Sequence, residues 1–369
     1  MAPRSASIAR VDNLVEALGP GPWPVTALAE LGWTPGMLRR ALASGLLVRE
    51  RRGLYSRHEG PTTPALLPTS QNRGLATVPI SAVAPPADRL HQARLSAFAR
   101  QLPSAAVFSH VSAARALGLW LPDPSETTVH VTIPGQADRD DAGLRVHGSA
   151  LPATSVTRVG TVAVTDACRT AVDLARPSDL PHALIAVDGA LRHVLSQSFP
   201  DLDRRMRRRD VPIEAIEAAR SQFLAVLDPM VGWPGVRTAR AAVALADPAS
   251  ASPYESWSRG WMLAVGMPAP ELNVVLRGAS GREYVGDFVW RDRRLIGEAD
   301  GVGKYGTTSD EIRAALRAEK ERQADLEAAG WRFVRWVTGD SGATIVARVG
   351  RALYLAPPLA SVQEQRRGA

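Results

Sequence analysis

One cysteine, Cys168, stands in a chain of 369 residues. That excludes a disulfide framework and an all-cysteine zinc site, and it fits a reducing cytosol. Lysine is almost as scarce. Of 44 basic residues, Lys304 and Lys320 are the two lysines and the rest are arginine. No uncharged apolar run approaches the roughly 20 residues of a membrane span. The opening stretch, MAPRSASIARVDNLVEALGP, has no apolar core of a secretory signal. These absences predict a cytoplasmic protein with no membrane partner.

What is present is ordinary globular composition. The hydrophobic share is 45% and the charged share 22%, which excludes wholesale disorder. At roughly 150 residues per domain the length predicts two to three domains. The net charge of +7 and pI near 10.2 favour polyanionic partners. Six prolines between Pro61 and Pro86, among Thr, Ser and Ala, cannot propagate a helix. The expected division is therefore a first domain over 1–58, a Pro-rich linker over 59–87, a mixed α/β domain over 88–250, a last domain over 251–356 and a tail over 357–369. The fold class is multidomain α+β.

The first block reads as a helix-turn-helix with a wing. Val25, Leu28, Ala29 and Leu31 recur at helical spacing and Gly32 stops that helix. Thr34 then serves as N-cap with Pro35 at the first helical position. Met37, Leu38, Ala41 and Leu42 form a buried stripe, which leaves Arg39 and Arg40 outward, and Gly45 closes the helix. The run LLVRERRGLYSR reads as two strands around Arg51, Arg52 and Gly53. Residues 39–57 hold six arginines against one acid, Glu50. A basic second helix and a basic hairpin suit duplex DNA, the helix in the major groove and the wing on phosphates. The candidate DNA contacts are Arg39, Arg40, Arg51 and Arg52. On these residues the segment resembles the N-terminal domain of AbiE-type antitoxins of type IV toxin–antitoxin systems. The resemblance implies a promoter-binding repressor and a cognate toxin partner.

The middle block carries three phrases that resemble the same antitoxin-like proteins: SHVSAARALGL from Ser109, TDACRTAVDLA from Thr165 and VDGALR from Val187. They are read as structural. Ser109, His110 and Asp166 could suggest a Ser-His-Asp triad, yet no nucleophile elbow accompanies them, so caps and packing are the expectation. Cys168 begins an apolar helical stripe and is expected to be buried and inert.

The last block predicts the order αβββαβ. A helix starts at Ser252-Pro253-Tyr254-Glu255, strands follow over 271–277, 282–290 and 294–300, a long helix runs from Ser309 to about Ala329, and Arg332–Val337 is the fourth strand. Val285, Asp287 and Val289 share one strand face, and Ile296, Glu298 and Asp300 share one face of the next. Acids among apolar neighbours need compensation, for which a divalent cation is suited. The pattern is similar to the PD-(D/E)XK nuclease fold. The motif Glu298-Ala299-Asp300-Gly301 also resembles the very-short-patch-repair-like endonucleases, from Glu255 to Trp336.

That resemblance implies a restriction-endonuclease-like domain in which Asp287 and Glu298 bind Mg²⁺ or Mn²⁺, with Asp300 in the usual place of a lysine. Asp300 and Glu255 complete the expected metal set, although Ser252-x-x-Glu255 is also a capping box. Lys304 is the expected relocated lysine, which with Asp287 and Glu298 makes the catalytic set. Lys320 is expected on a solvated helix face. The leading expectation is a DNA-binding protein with a metal-dependent endonuclease domain, linked to phage defence or toxin–antitoxin function. The alternative is a non-enzymatic antitoxin-like autorepressor whose nuclease fold is degenerate.

Overall fold

The computed structural model describes residues 11–14, 16–18, 22–51, 53–57, 94–95, 98–99, 101–141, 143–300 and 309–354. The expected linker over 59–87 and the tail over 357–369 lie outside them. Contacts divide the described residues into two compact units, one ending at Asp173 and the other beginning at Leu174.

The first unit opens with a short strand, β1 (Trp23–Pro24), and two helices, α1 (Val25–Glu30) and α2 (Pro35–Ala43). The Thr34 hydroxyl accepts the Met37 N–H at 3.3 Å, the expected cap, and Pro35 fits the first turn because its missing N–H has no helical partner there. Strands β2 (Leu47–Arg51) and β3 (Leu54–Arg57) then pair antiparallel, and β1 joins the far side of β3. Gly53 turns the hairpin at φ +80°, where a side chain would be strained. Trp23, Leu28, Trp33, Leu38, Ala41 and Leu47 make the local core. Of the four apolar positions expected to mark α1, Leu28 alone is buried; Val25, Ala29 and Leu31 face outward.

A six-stranded mixed sheet follows in the order β6-β7-β5-β4-β9-β8. These strands are β4 (Val107–Phe108), β5 (Val129–Thr132), β6 (Arg139–Asp141), β7 (Leu144–His147), β8 (Val156–Val159) and β9 (Val162–Thr165). Helix α3 (His110–Leu117) leaves β4 directly, and α4 (Ala167–Ala175) leaves β9. The phrase TDACRTAVDLA has local physical causes. Asp166 accepts the Arg169 N–H at 2.8 Å as a helix cap, Thr165 and Thr170 share a 2.7 Å hydrogen bond, and buried Arg169 donates to Asp173 at 2.8 Å.

The second unit opens with four helices, α5 (Leu180–Ser196), α6 (Leu202–Arg207), α7 (Ile213–Leu227) and α8 (Val236–Leu245). Helix α9 (Pro253–Ala264) packs on α5, and strands β10 (Glu271–Arg277), β11 (Glu283–Trp290) and β12 (Leu295–Asp300) form an antiparallel run. Helix α10 (Ser309–Ala328) crosses back so that β13 (Arg332–Val337) lies parallel to β12, and α11 (Gly342–Tyr354) ends the unit. The order αβββαβ expected over 253–337 is the order observed. One face of the sheet packs Val274, Leu276, Val289 and Ile296 on Leu326 of α10. On the other face, Gly297 leaves room for Trp336: a Cβ there would meet the indole at 2.8 Å.

Helices α5 and α9 cross closely because Gly260 faces the backbone of Pro181. A Cβ at Gly260 would sit against Pro181 Cα well inside contact distance, and backbone cannot yield as a side-chain end can. Gly260→Ala therefore sets two effects against each other. Helix propensity favours alanine by about 1 kcal/mol, while forced overpacking costs about 1–3 kcal/mol or more. The expected net is a loss of about 2 kcal/mol, measured as a shift in the urea midpoint.

Candidate functional site

The N-terminal candidate surface is built by α2 and the β2–β3 hairpin. Leu38 and Ala41 bury one face of α2 and fix its rotation, which turns Arg39 and Arg40 to solvent, as the stripe predicts. Arg49 is exposed on β2 opposite Tyr55. The ladder is irregular between Arg49 and Arg51, which strengthens the local twist of the hairpin. Arg57 is exposed on β3 and bonds Asp12 at 2.9 Å. Arg49 completes the row of outward arginines, although alternation sets it on the face of buried Leu47, so periodicity does not mark it. Arg52, and the side chain of Arg51, lie outside the described residues.

The C-terminal candidate is the set of acids on the sheet. Phe288 stands opposite Gly297 and Val289 opposite Ile296. Continuing that register sets Asp287 across from Glu298 on the face that α10 covers. Oδ2 of Asp287 accepts the Ala299 N–H at 3.1 Å. Glu298 is buried, and two guanidinium groups take its oxygens. Arg335 Nε donates to Oε2 at 2.9 Å, and Arg322 Nη2 donates to Oε1. Both arginines also bond Glu319, at 2.6–2.8 Å, so two acids and two arginines close a ring. Both guanidinium groups lie over the Phe333 ring, 5.7 and 5.4 Å from its centroid. Burial disfavours the charge on Arg322, but the bonds from Glu319 and Glu298 outweigh it and raise its pKa.

Glu255 is buried at the start of α9. Its Oε1 accepts the Ser252 hydroxyl at 2.9 Å, and its Oε2 accepts the Ala251 N–H at 2.9 Å and the Asn273 amide at 2.8 Å. Burial raises its pKa against those donors. The capping box thus accounts for Glu255 with Asn273 as an added partner. Asp300 is half-buried at the end of β12, and its backbone carbonyl accepts the Thr338 N–H at 3.1 Å. Lys304 lies outside the described residues, and Lys320 is exposed on α10.

The donor set decides what these acids can hold. The charge on Glu298 is compensated by arginine, and Glu255 is satisfied by neutral donors. A hard divalent cation needs lone pairs turned toward one point, and here those of Glu298 turn to arginine and those of Glu255 to neutral donors. Among the described residues, no three carboxylates bring their oxygens within 4.8 Å of one another. The one group that does so is made of histidines: His110, His130 and His147. The sequence weighs His110 only beside Ser109 and Asp166. The structure keeps the first contact, His110 Nδ1 to Ser109 Oγ at 3.0 Å, and gives Asp166 to the cap of α4. Cys168 is buried, and burial with the Asp166 charge pushes its thiol up to about 12, which makes it the inert thiol expected.

Residues 25–58 match the family described as "Transcriptional regulator, AbiEi antitoxin". Over 228 residues the chain is 28% identical to two Mycobacterium tuberculosis proteins described as uncharacterized, MT2308 of strain CDC 1551 / Oshkosh and Rv2248 of strain ATCC 25618 / H37Rv. Each match covers 61% of this chain and 73% of the relative. Among the described residues, no helix is long and apolar enough to cross a membrane. The family match falls on α1, α2 and the arginine-bearing hairpin, and it supports an AbiE-type antitoxin region at this end of the chain.

Proposed function

We propose that the chain is a DNA-binding transcriptional regulator of the antitoxin type, with residues 23–57 acting as a winged helix. The observation that carries this reading is the coincidence of the 25–58 family match with the outward arginines of α2 and β2. Helix α2 enters the major groove, where Arg39 and Arg40 meet phosphates or base edges, and the hairpin rests on the backbone. The partners are duplex DNA, in particular the promoter of the chain's own gene, and a cognate toxin.

The test is fluorescence anisotropy on that promoter duplex across a salt series. Each lost phosphate contact removes about 0.9 from the slope of log K against log salt. Arg39→Ala/Arg40→Ala is expected to flatten the slope by roughly 2 and to weaken binding by roughly tenfold to a hundredfold. Unchanged affinity with an unchanged slope would overturn the reading.

A second reading, a phosphodiester-cleaving function for the C-terminal unit, is favoured by the αβββαβ order and by Asp287 lying in register with Glu298. It requires Arg322 and Arg335 to give up Glu298 first. Incubating the wild type and Asp287→Ala with plasmid and Mg²⁺ or Mn²⁺ decides it: cleavage lost in the variant supports the reading, and no cleavage by the wild type refutes it.

A further inference from the structure

Three of the chain's seven histidines converge inside the first unit. His110 opens α3, His130 lies in β5 and His147 ends β7. Strands β5 and β7 run parallel, with Thr132 beside His147 and His130 beside Arg145. His130 and Thr132 share one sheet face by alternation. Nδ1 of His130 and Nε2 of His147 stand 3.0 Å apart. The His110 ring stacks on His147, with centroids 3.8 Å apart and planes 16° from parallel. One ligand nitrogen from each ring lies within 4.8 Å of those from the other two.

We propose that His110, His130 and His147 form a binding site for a zinc-class divalent cation between α3 and the six-stranded sheet. Three imidazoles are borderline donors, suited to Zn²⁺, Co²⁺, Ni²⁺ or Cu²⁺ and not to Mg²⁺ or Ca²⁺. With Zn–N bonds of about 2.0–2.1 Å, tetrahedral ligands sit about 3.3 Å apart. The His130–His147 pair needs only a few tenths of an ångström to reach that spacing. As the cation enters, the proton between these two nitrogens passes to solvent and the ring that carried it takes up a proton on its outer nitrogen (Nε2 of His130 or Nδ1 of His147), so both rings bind as neutral imidazoles with no net proton change.

The surroundings are built for fixed rings. The Ser109 hydroxyl holds Nδ1 of His110, so Nε2 is the nitrogen that ring would present. The Ser112 hydroxyl accepts the His130 backbone N–H at 2.9 Å and ties α3 to β5. His110 itself sits at φ +50°, in the left-handed region that a non-glycine residue rarely adopts. Such strain persists where the surroundings over-determine it. Thr132 Oγ1 is fully buried with no hydrogen-bond partner. It lies on the His130 face, where a water on the fourth coordination position would satisfy it.

The experiment uses the full-length chain, stripped with chelator and dialysed. Zn²⁺ is titrated against a chromogenic competitor, and Co²⁺ is added separately to read its visible d–d bands. The expected result is one Zn²⁺ per chain, a tetrahedral Co²⁺ spectrum and no binding of Mg²⁺. His147→Gln and His110→Gln, both at half-buried positions, are each expected to weaken Zn²⁺ by at least about a hundredfold, since losing a ligand exceeds the 10–100-fold effect of losing its hydrogen-bond partner. Zn²⁺ should also raise the melting temperature of the wild type and not of these variants. No stoichiometric Zn²⁺ binding by the wild type would overturn the proposal. So would wild-type affinity in both folded variants, because the cation would then sit on other residues.

Discussion

Asp188→Ala is expected to destabilise the C-terminal unit by about 3–5 kcal/mol, the usual result of removing one partner of a buried ion pair. Asp188 lies in the middle of α5 and is fully buried. Arg259 of α9 donates to both its oxygens, at 3.0 and 2.8 Å, the Ser256 hydroxyl donates at 2.6 Å, and the Asp247 N–H donates at 2.9 Å. Alanine would leave the Arg259 guanidinium buried without its counter-charge, and the Ser256 hydroxyl and Asp247 N–H without this acceptor. The penalty is thus mostly one of orphaned partners, not of the lost attraction itself. Asp188→Asn keeps the shape and part of the bonding and is expected to lose roughly half as much. A double change to Asp188→Asn/Arg259→Met removes the stranded charge and should recover stability relative to the sum of the single changes. Urea unfolding followed by tryptophan fluorescence measures all of these. A single-variant loss under about 1 kcal/mol would mean that the pair is a passive contact.

Glu298→Gln is the second large effect, expected to cost about 2–3 kcal/mol whether or not the chain cleaves DNA. The acid is buried, and it separates two guanidinium groups that its neutral analogue cannot neutralise. The estimate lies below the 3–5 kcal/mol of a fully buried pair because Arg335 is 34% exposed and water screens it. Glu319 stays in place and keeps one acid in the ring. The loss should deepen at low salt, where the repulsion between Arg322 and Arg335 is least screened. Any cleavage assay on this variant must be normalised to its folded fraction, since a stability loss alone mimics a loss of chemistry. Stability equal to wild type at both high and low salt would show that the ring contributes nothing to folding.

Periodicity made the elements legible. The strands over 271–300 and 332–337 carry the alternation that sets their faces, and their observed bounds lie within a residue of those expected. Helix α2 was legible from Thr34, Pro35 and Gly45, because caps act over three or four residues. Short strands were not: β4 has two residues and β6 three, too few to show a period. Long-range pairing was equally silent. Asp188 and Arg259 are 71 positions apart, and Glu298 and Arg335 are 37 apart. Each looks like an ordinary charged residue until the chain folds. The sequence shows that Glu298 needs a compensating charge, and the structure supplies it as arginine. The histidine cluster escaped for the same reason, since its members come from three elements at no ligand-like spacing.

The arginine ring around Glu298 has an evolutionary consequence. A carboxylate that is kept for cleavage alone drifts once cleavage stops being selected. A buried carboxylate held between two half-buried guanidinium groups does not, because its loss weakens the fold at once. Glu298 would therefore survive in descendants that never touch a phosphodiester bond.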